Sequence, residues 1–220
     1  MKFSDTFKKF FILGILFVLP IVIYLFLASG VNNFAKLPIL TQGVSDIQNF
    51  NDEAGKKYSL QNKITVLMFL GNKPLNQRAA IYNLAHKIYK KNYLFNDFQF
   101  ILLSAEGTQD ENRQILARLK QIENTEGWKF LYGSTQEMEQ VFNSFQTNLS
   151  LDHNYSSTYV FIIDKDKNLR GRNQDEDKKT LYGYDASDYS LINNKMSDDV
   201  KVLLAEYRLA LKKYKSNREI

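Results

Sequence analysis

The sequence predicts an α/β domain carried behind one membrane-length helix, on three observations: an uncharged N-terminal run, a series of short strands rich in Val, Ile and Phe, and segments of helical apolar period between them. The first is Phe10 to Val31, FFILGILFVLPIVIYLFLASGV, about 22 residues that span roughly 33 Å as a helix. Pro20 is compatible with a membrane segment, where neighbouring groups satisfy the freed carbonyl. A cleaved signal peptide is the rival reading, but the apolar run is longer than such peptides carry and no A-x-A-like site follows cleanly. Lys2, Lys8 and Lys9 precede the run and only Lys36 lies in the first stretch after it. That asymmetry predicts a single-pass protein of the inner (cytoplasmic) membrane, N-terminus in the cytoplasm and the rest periplasmic.

At 220 residues, 44% hydrophobic and 14% aromatic, the chain has material for one anchor and one cored domain, and a second domain would be cramped. With 24% charged residues, 10 Gly and 3 Pro, its composition is that of a folded chain. The formal charge is +5, yet basic and acidic residues alternate except at the ends, at Lys2, Lys8 and Lys9 and at Lys212, Lys213, Lys215 and Arg218. Nucleic acid is therefore not an expected partner. The chain contains no cysteine, which removes disulfides, thiol catalysis, thiolate metal sites and lipid attachment to an N-terminal cysteine.

After the anchor, Asp52 to Lys57 reads as a hairpin turn. Ile64 to Leu70, ITVLMFL, is apolar without a break and suits a central strand buried on both faces. Beyond Pro74, Ile81, Leu84, Ala85 and Ile88 recur at helical spacing, with Lys87, Lys90 and Lys91 opposite. Phe98 to Ser104 is the second strand, and Glu111 to Glu123 a helix with Ile115, Leu116, Leu119 and Ile122 on one stripe. Trp128 to Leu131 is a third strand; Ser134 and Glu137 have capping-box spacing before Met138, Val141, Phe142 and Phe145. Tyr159 to Ile163 and a partner near Leu169 form a late hairpin across the turn Asp164 to Asn168. Ser197 is the expected N-cap of a terminal helix whose first turn holds Asp198 and Asp199 and whose stripe is Val200, Leu203, Leu204, Tyr207 and Leu211. Strand, helix, strand, helix, late hairpin and terminal helix make a thioredoxin-like arrangement with an N-terminal hairpin extension. The division this implies is a cytoplasmic N-terminus (1–9), an anchor (10–31), a linker (32–48), the thioredoxin-like domain (49–215) and a tail (216–220).

Five stretches in order resemble the Sco/SenC family of membrane-anchored thioredoxin-fold proteins. They are LPIL; FNDEAGKKYSLQNKITVLMFL; FQFILLSAEGTQDENRQILARL, with Ser104 and Asp110 placed as in the family's S-x-D-P segment; GWKFLYGSTQEMEQVFNSF; and LDHNYSSTYVFIIDKDKNLRGR. In the last, Lys167 or Asn168 stands near the glycine of the family's I-D-x-x-G. The resemblance implies copper delivery or thiol redox work in cytochrome c oxidase assembly. It fails at the centre of that chemistry, because the family's C-P-x-x-C-P is here Lys73-Pro74-Leu75-Asn76-Gln77-Arg78.

Copper(I) selects thiolate and thioether ligands, and the ammonium of Lys73 and carboxamide of Gln77 are neither. His153, in Asp152-His153, matches the family's histidine ligand and is the one candidate for a residual metal ligand, with Asp110, Asp152 and Glu106 as hard oxygen donors near it. His86 reads as a surface residue. No catalytic residue, resident metal or cofactor is expected. Tyr89, Tyr93, Tyr155 and Tyr182 fall in polar stretches and suggest a docking surface. The leading expectation is a redox-inactive, non-enzymatic accessory or assembly factor for a respiratory membrane complex, partnered by membrane lipid through its helix and by another protein. The alternatives are an enzyme or carrier with a non-thiol site around Lys73, Asp110 and His153, and a structural envelope interaction protein.

Overall fold

The computed structural model describes residues 5–28 and 36–216. Lys2, Arg218 and residues 29–35 lie outside them, as do the side chains of Lys212, Lys213 and Lys215. The chain divides into two units, residues 1–35 and 36–220. In the first, α1 (Asp5–Ala28) includes a segment, Phe7–Phe26, long and apolar enough to cross a membrane.

The second unit is built on a sheet in which β2 (Ile64–Gly71), β3 (Phe98–Ala105) and β4 (Trp128–Gly133) run parallel. On the other side of β2, β5 (Tyr159–Ile163) runs antiparallel. Its outer edge is shared by β6 (Leu169–Arg170) and β9 (Tyr184–Asp185), and β1 (Ile39–Thr41) closes the far edge against β6. A separate ribbon joins β7 (Arg172–Asp175) to β8 (Lys179–Leu181). A βαβ half followed by a ββα half on one sheet is the thioredoxin-like arrangement.

Both faces of the sheet are covered, which is why its strands read as unbroken apolar runs. Ile64, Val66, Met68 and Leu70 face one core with Phe98, Phe100, Leu102, Trp128 and Phe130. Leu67 and Phe69 face the other with Ile101, Leu103, Leu131 and Phe161. The first core is roofed by α2 (Arg78–Leu84), α4 (Gln109–Ile122) and α7 (Ser197–Ser216). The second is roofed by α5 (Thr135–Asn143) and by Val44, Ile47, Phe50 and Leu60 of the lead-in. The Ser134–Glu137 capping box is formed in both directions.

Among the described residues, one five-residue turn occurs three times. At Asp52, Asp152 and Asp164 the carboxylate accepts from main-chain N–H groups two and four residues on, Ala54 and Lys56, Asn154 and Ser156, Asp166 and Asn168. In each, the residue three positions on is left-handed: Gly55 (φ 77°), Tyr155 (φ 57°) and Lys167 (φ 60°). Of Lys167 and Asn168, the two residues near the glycine of the turn the sequence resembles, Lys167 is the left-handed one. Asp is needed first because a short side chain can fold back over its own turn.

Two expectations need correction. Ser197 is not the N-cap of the terminal helix: it lies inside a continuous helical run that starts with α6 (Tyr189–Leu191) and a π turn (Ile192–Met196). The cap is Asp188, which accepts from the N–H groups of Ser190 and Leu191. Asp199 therefore does not serve a helix start; buried at 6% exposure, it accepts from Arg172 at 2.7 and 3.0 Å and from the Tyr184 hydroxyl at 2.6 Å. Those contacts tie the helix to β7 and β9. Tyr89 is likewise no surface residue. It is 2% exposed, packs its ring on Phe100 and Trp128, and its hydroxyl accepts from Gly127 N–H at 2.8 Å. Its position, eight after Ile81, belongs to the helical stripe, carried through a π turn (Ala85–Tyr89) into α3 (Lys90–Asn92).

Candidate functional site

The site sits where β2 ends. Gly71 turns the chain with φ 63°, and a Cβ on it would stand 1.9 Å from the carbonyl oxygen of Asn154. Only glycine permits so close an approach. The next N–H, of Asn72, donates to that same oxygen at 2.9 Å, and Ser157 N–H donates to Phe69 O at 3.0 Å. The loop after β2 and the 152–157 loop are thus joined through main chain on both sides.

Pro74 opens a 3-10 turn, Pro74–Gln77, where a missing N–H costs nothing. Glu111 of α4 accepts from Leu75 N–H at 3.2 Å and steadies this turn from the other side. The turn aims Gln77 inward. The residue is 7% exposed, and its carboxamide donates from Nε2 to Ser156 Oγ at 3.1 Å. Ser156, 2% exposed, donates its own hydroxyl proton to Asp152 Oδ2 at 2.9 Å. A relay Gln77 to Ser156 to Asp152 therefore spans the two loops. Ser156 was not among the residues singled out from the sequence; its signal was its place four residues after Asp152, the spacing of the repeated turn.

Burial raises the Asp152 pKa, but the N–H and hydroxyl of Ser156, the N–H of Asn154 and the charge of His153 together hold it below 3.8. A carboxylate whose folded pKa is depressed contributes stability above its unfolded pKa and loses that contribution as pH falls through the folded one. Acidification from about pH 6 to about pH 3 is expected to destabilise the wild-type domain more than Asp152→Asn, measured as denaturation midpoints at the two pH values. Equal losses in the two proteins would contradict the relay.

A serine hydrogen-bonded to a carboxylate resembles a nucleophile and its base. Here the hydroxyl is buried and the carboxylate is a weakened base, so the pair holds loops together and offers no reactive oxygen to a substrate. Lys73 and His153 are both exposed, and the His153 ring meets the Asn154 amide at 2.9 Å. Asp110 points into solvent beside Arg113. Lys73, Asp110 and His153 are all solvent-exposed, which counts against a non-thiol catalytic centre made from them. The ammonium of Lys73, the hydrogen-bonded carboxamide of Gln77 and the exposed imidazole of His153 are not a donor set that fits copper(I). Among the described residues, no group of three or more His, Cys, Asp or Glu is placed to hold a metal ion.

No protein-family model matches the chain, and no curated protein matches it. Several solved structures do. BsSco, a member of the Sco family of cytochrome c oxidase assembly proteins, is 14% identical, with 76% of this chain and 98% of that one covered and a TM-score of 0.49. ScoI of Arabidopsis thaliana, with copper bound, is 18% identical over 73% of this chain and 98% of its own, with a TM-score of 0.45. ScoI of Bradyrhizobium japonicum, also with copper bound, is 13% identical over 74% and 99%, with a TM-score of 0.41. The solved structures to which the chain is similar thus include Sco proteins, the family that its sequence motifs resemble.

Proposed function

We propose that this chain is a membrane-anchored, extracytoplasmic, Sco/SenC-like protein that works without thiols or metal, as an accessory or assembly factor for a respiratory membrane complex such as cytochrome c oxidase. One observation carries the reading: Gln77, at a position where the resembled family has a cysteine, donates its buried amide to Ser156 at 3.1 Å. The loop that would present a thiolate is instead closed onto its neighbour and held there. What it retains is a shaped surface, and a surface acts by contact. Lys2, Lys8 and Lys9, ahead of the apolar run, support an orientation with the N-terminus in the cytoplasm and the domain in the periplasm.

The test is capture of the tagged full-length chain from detergent-solubilised membranes of the cells that make it. Oxidase subunits or oxidase assembly factors should be enriched over an unrelated anchored protein. Their absence would remove the respiratory assignment and favour a structural envelope role.

A further inference from the structure

The domain carries its charge unevenly. Of the chain's 29 basic and 24 acidic residues, Lys2, Lys8, Lys9 and Asp5 precede residue 36, which leaves 26 against 23. Residues 87–91 and 201–220 together hold nine basic residues and only two acidic ones. The fold brings the described parts of these segments side by side: Ile88 shares a core with Val200, Leu203 and Leu204 of α7, and Lys91 joins Lys201 and Arg172 in holding the Asp198 carboxyl below its ordinary pKa. Their exposed sides therefore form one basic face.

The acids near this face are engaged. Glu123 meets Lys90 at 2.9 Å, Asp198 meets Lys201 at 2.8 Å, Glu206 is turned to Arg170 at 2.7 Å, and Asp97 is shared by Lys63 and Lys165. Asp166, in the turn beside Tyr207, is the exposed acid nearby. Among the described residues no carboxylate pairs with Lys91 or Arg208, and Arg208 lies 5.7 Å from the centre of the Phe95 ring. Between α3 and β3 the chain turns through Tyr93, Leu94 and Phe95, with Phe95 N–H donating to Asn92 O. Phe95 packs against the core, while Tyr93 is 43% exposed and Leu94 79%, the highest exposure of a large apolar residue among the described residues outside α1. A single exposed leucine is ordinary. One that stands with a tyrosine among unpaired cations has the composition of a surface that lies at a lipid headgroup boundary, where apolar ends sink and cations stay with the phosphates.

We infer that the turn between α3 and β3, with Tyr93 and Leu94 at its crest and Lys90, Lys91 and Arg208 around it, docks on an anionic lipid surface. Lipid is the occupant because α1 is long and apolar enough to cross a membrane, and residues 29–35 between the two described parts extend over roughly 30 Å at most. An anionic bilayer is then always within reach of the domain, and its negative surface potential draws basic segments toward it. The inference rests on the membrane-anchored reading above and not on the respiratory assignment.

The chain has no cysteine, so a single introduced cysteine takes a label uniquely. Leu94→Cys and Glu106→Cys flank opposite ends of β3, whose eight residues span about 26 Å, and each is labelled with the environment-sensitive fluorophore NBD. The full chain is placed in nanodiscs of phosphatidylcholine alone or with about 30% phosphatidylglycerol, and co-elution with the disc reports anchoring. The label at position 94 should shift to the blue and brighten about twofold or more in the anionic discs, and lipids carrying a quencher near the headgroup should quench it more than the label at 106. Salt of about 0.5 M should reverse the shift. Lys91→Glu combined with Arg208→Glu, both exposed positions, should lower the docked-to-free ratio about tenfold while co-elution is kept. Incorporated protein whose two labels respond alike, or a response at 94 independent of lipid charge, overturns the inference alone. Failure to enter either disc overturns the anchored reading and the inference with it.

Discussion

Gly71→Ala should cost the domain about 2–5 kcal/mol, the sum of a left-handed backbone strain of about 1–2 and an overpacking term of about 1–3. Both causes are present at this one position, φ of 63° and a methyl 1.9 Å from Asn154 O. Gly107 separates them: its φ is 87°, and a Cβ there meets nothing within 4 Å. Gly107→Ala should therefore lose only the strain term, about 1–2 kcal/mol. Denaturant midpoints of the two variants, at unchanged slope, read the difference as the contact between the loops. If the two cost the same, the 71–72 and 152–157 loops do not meet as described.

Arg170→Met should cost about 3–5 kcal/mol, since it breaks a buried ion pair and leaves its partner charged and enclosed. The Arg170 side chain is 5% exposed and Asp164 1%, at 2.9 Å. The same guanidinium donates to Leu37 O at 2.8 Å and to Glu206 of α7 at 2.7 Å, so it joins the lead-in, the β5–β6 turn and the terminal helix. Glu206→Ala removes a partner that is 24% exposed and shared with solvent, and should cost about 1 kcal/mol or less. Unfolding curves for the two variants test the contrast. A loss under about 1 kcal/mol for Arg170→Met would show that the three elements are held by packing alone.

The fold was legible wherever burial writes a period into the sequence. Strands covered on both faces gave the runs at Ile64, Phe98, Trp128 and Tyr159, and the capping box at Ser134 declared its helix by residue type and spacing. Boundaries set by long-range contacts were not legible. Ser197 and Asp199 look like a helix start, and only the proximity of Arg172 and Tyr184 shows that the aspartate is engaged sideways. The π turns at 85–89 and 192–196 leave no mark in composition.

At the site, the sequence shows which chemistry is missing, because cysteine is either present or absent. It does not show what has replaced that chemistry. Gln77 reads as a carboxamide standing in a loop where the resembled family has a cysteine, and nothing local says that its amide is buried against a serine 79 residues further on. That contact depends on Gly71, on the turn headed by Asp152 and on the antiparallel placement of β5 beside β2. A set of three elements has to be assembled before the pair exists.

The proposed function requires that the 71–77 loop, closed by Gln77 onto Ser156, hold no copper site. Competition titration of the purified full chain with copper(I), against a chelating indicator, tests it most directly, with His153→Ala and Gln77→Cys as companions. The account predicts no stoichiometric tight copper(I) site in the wild type and the same titration for His153→Ala, because an ammonium, a bonded carboxamide and one imidazole are poor copper(I) ligands. One equivalent of tightly bound copper in the wild type, abolished by His153→Ala, would contradict it.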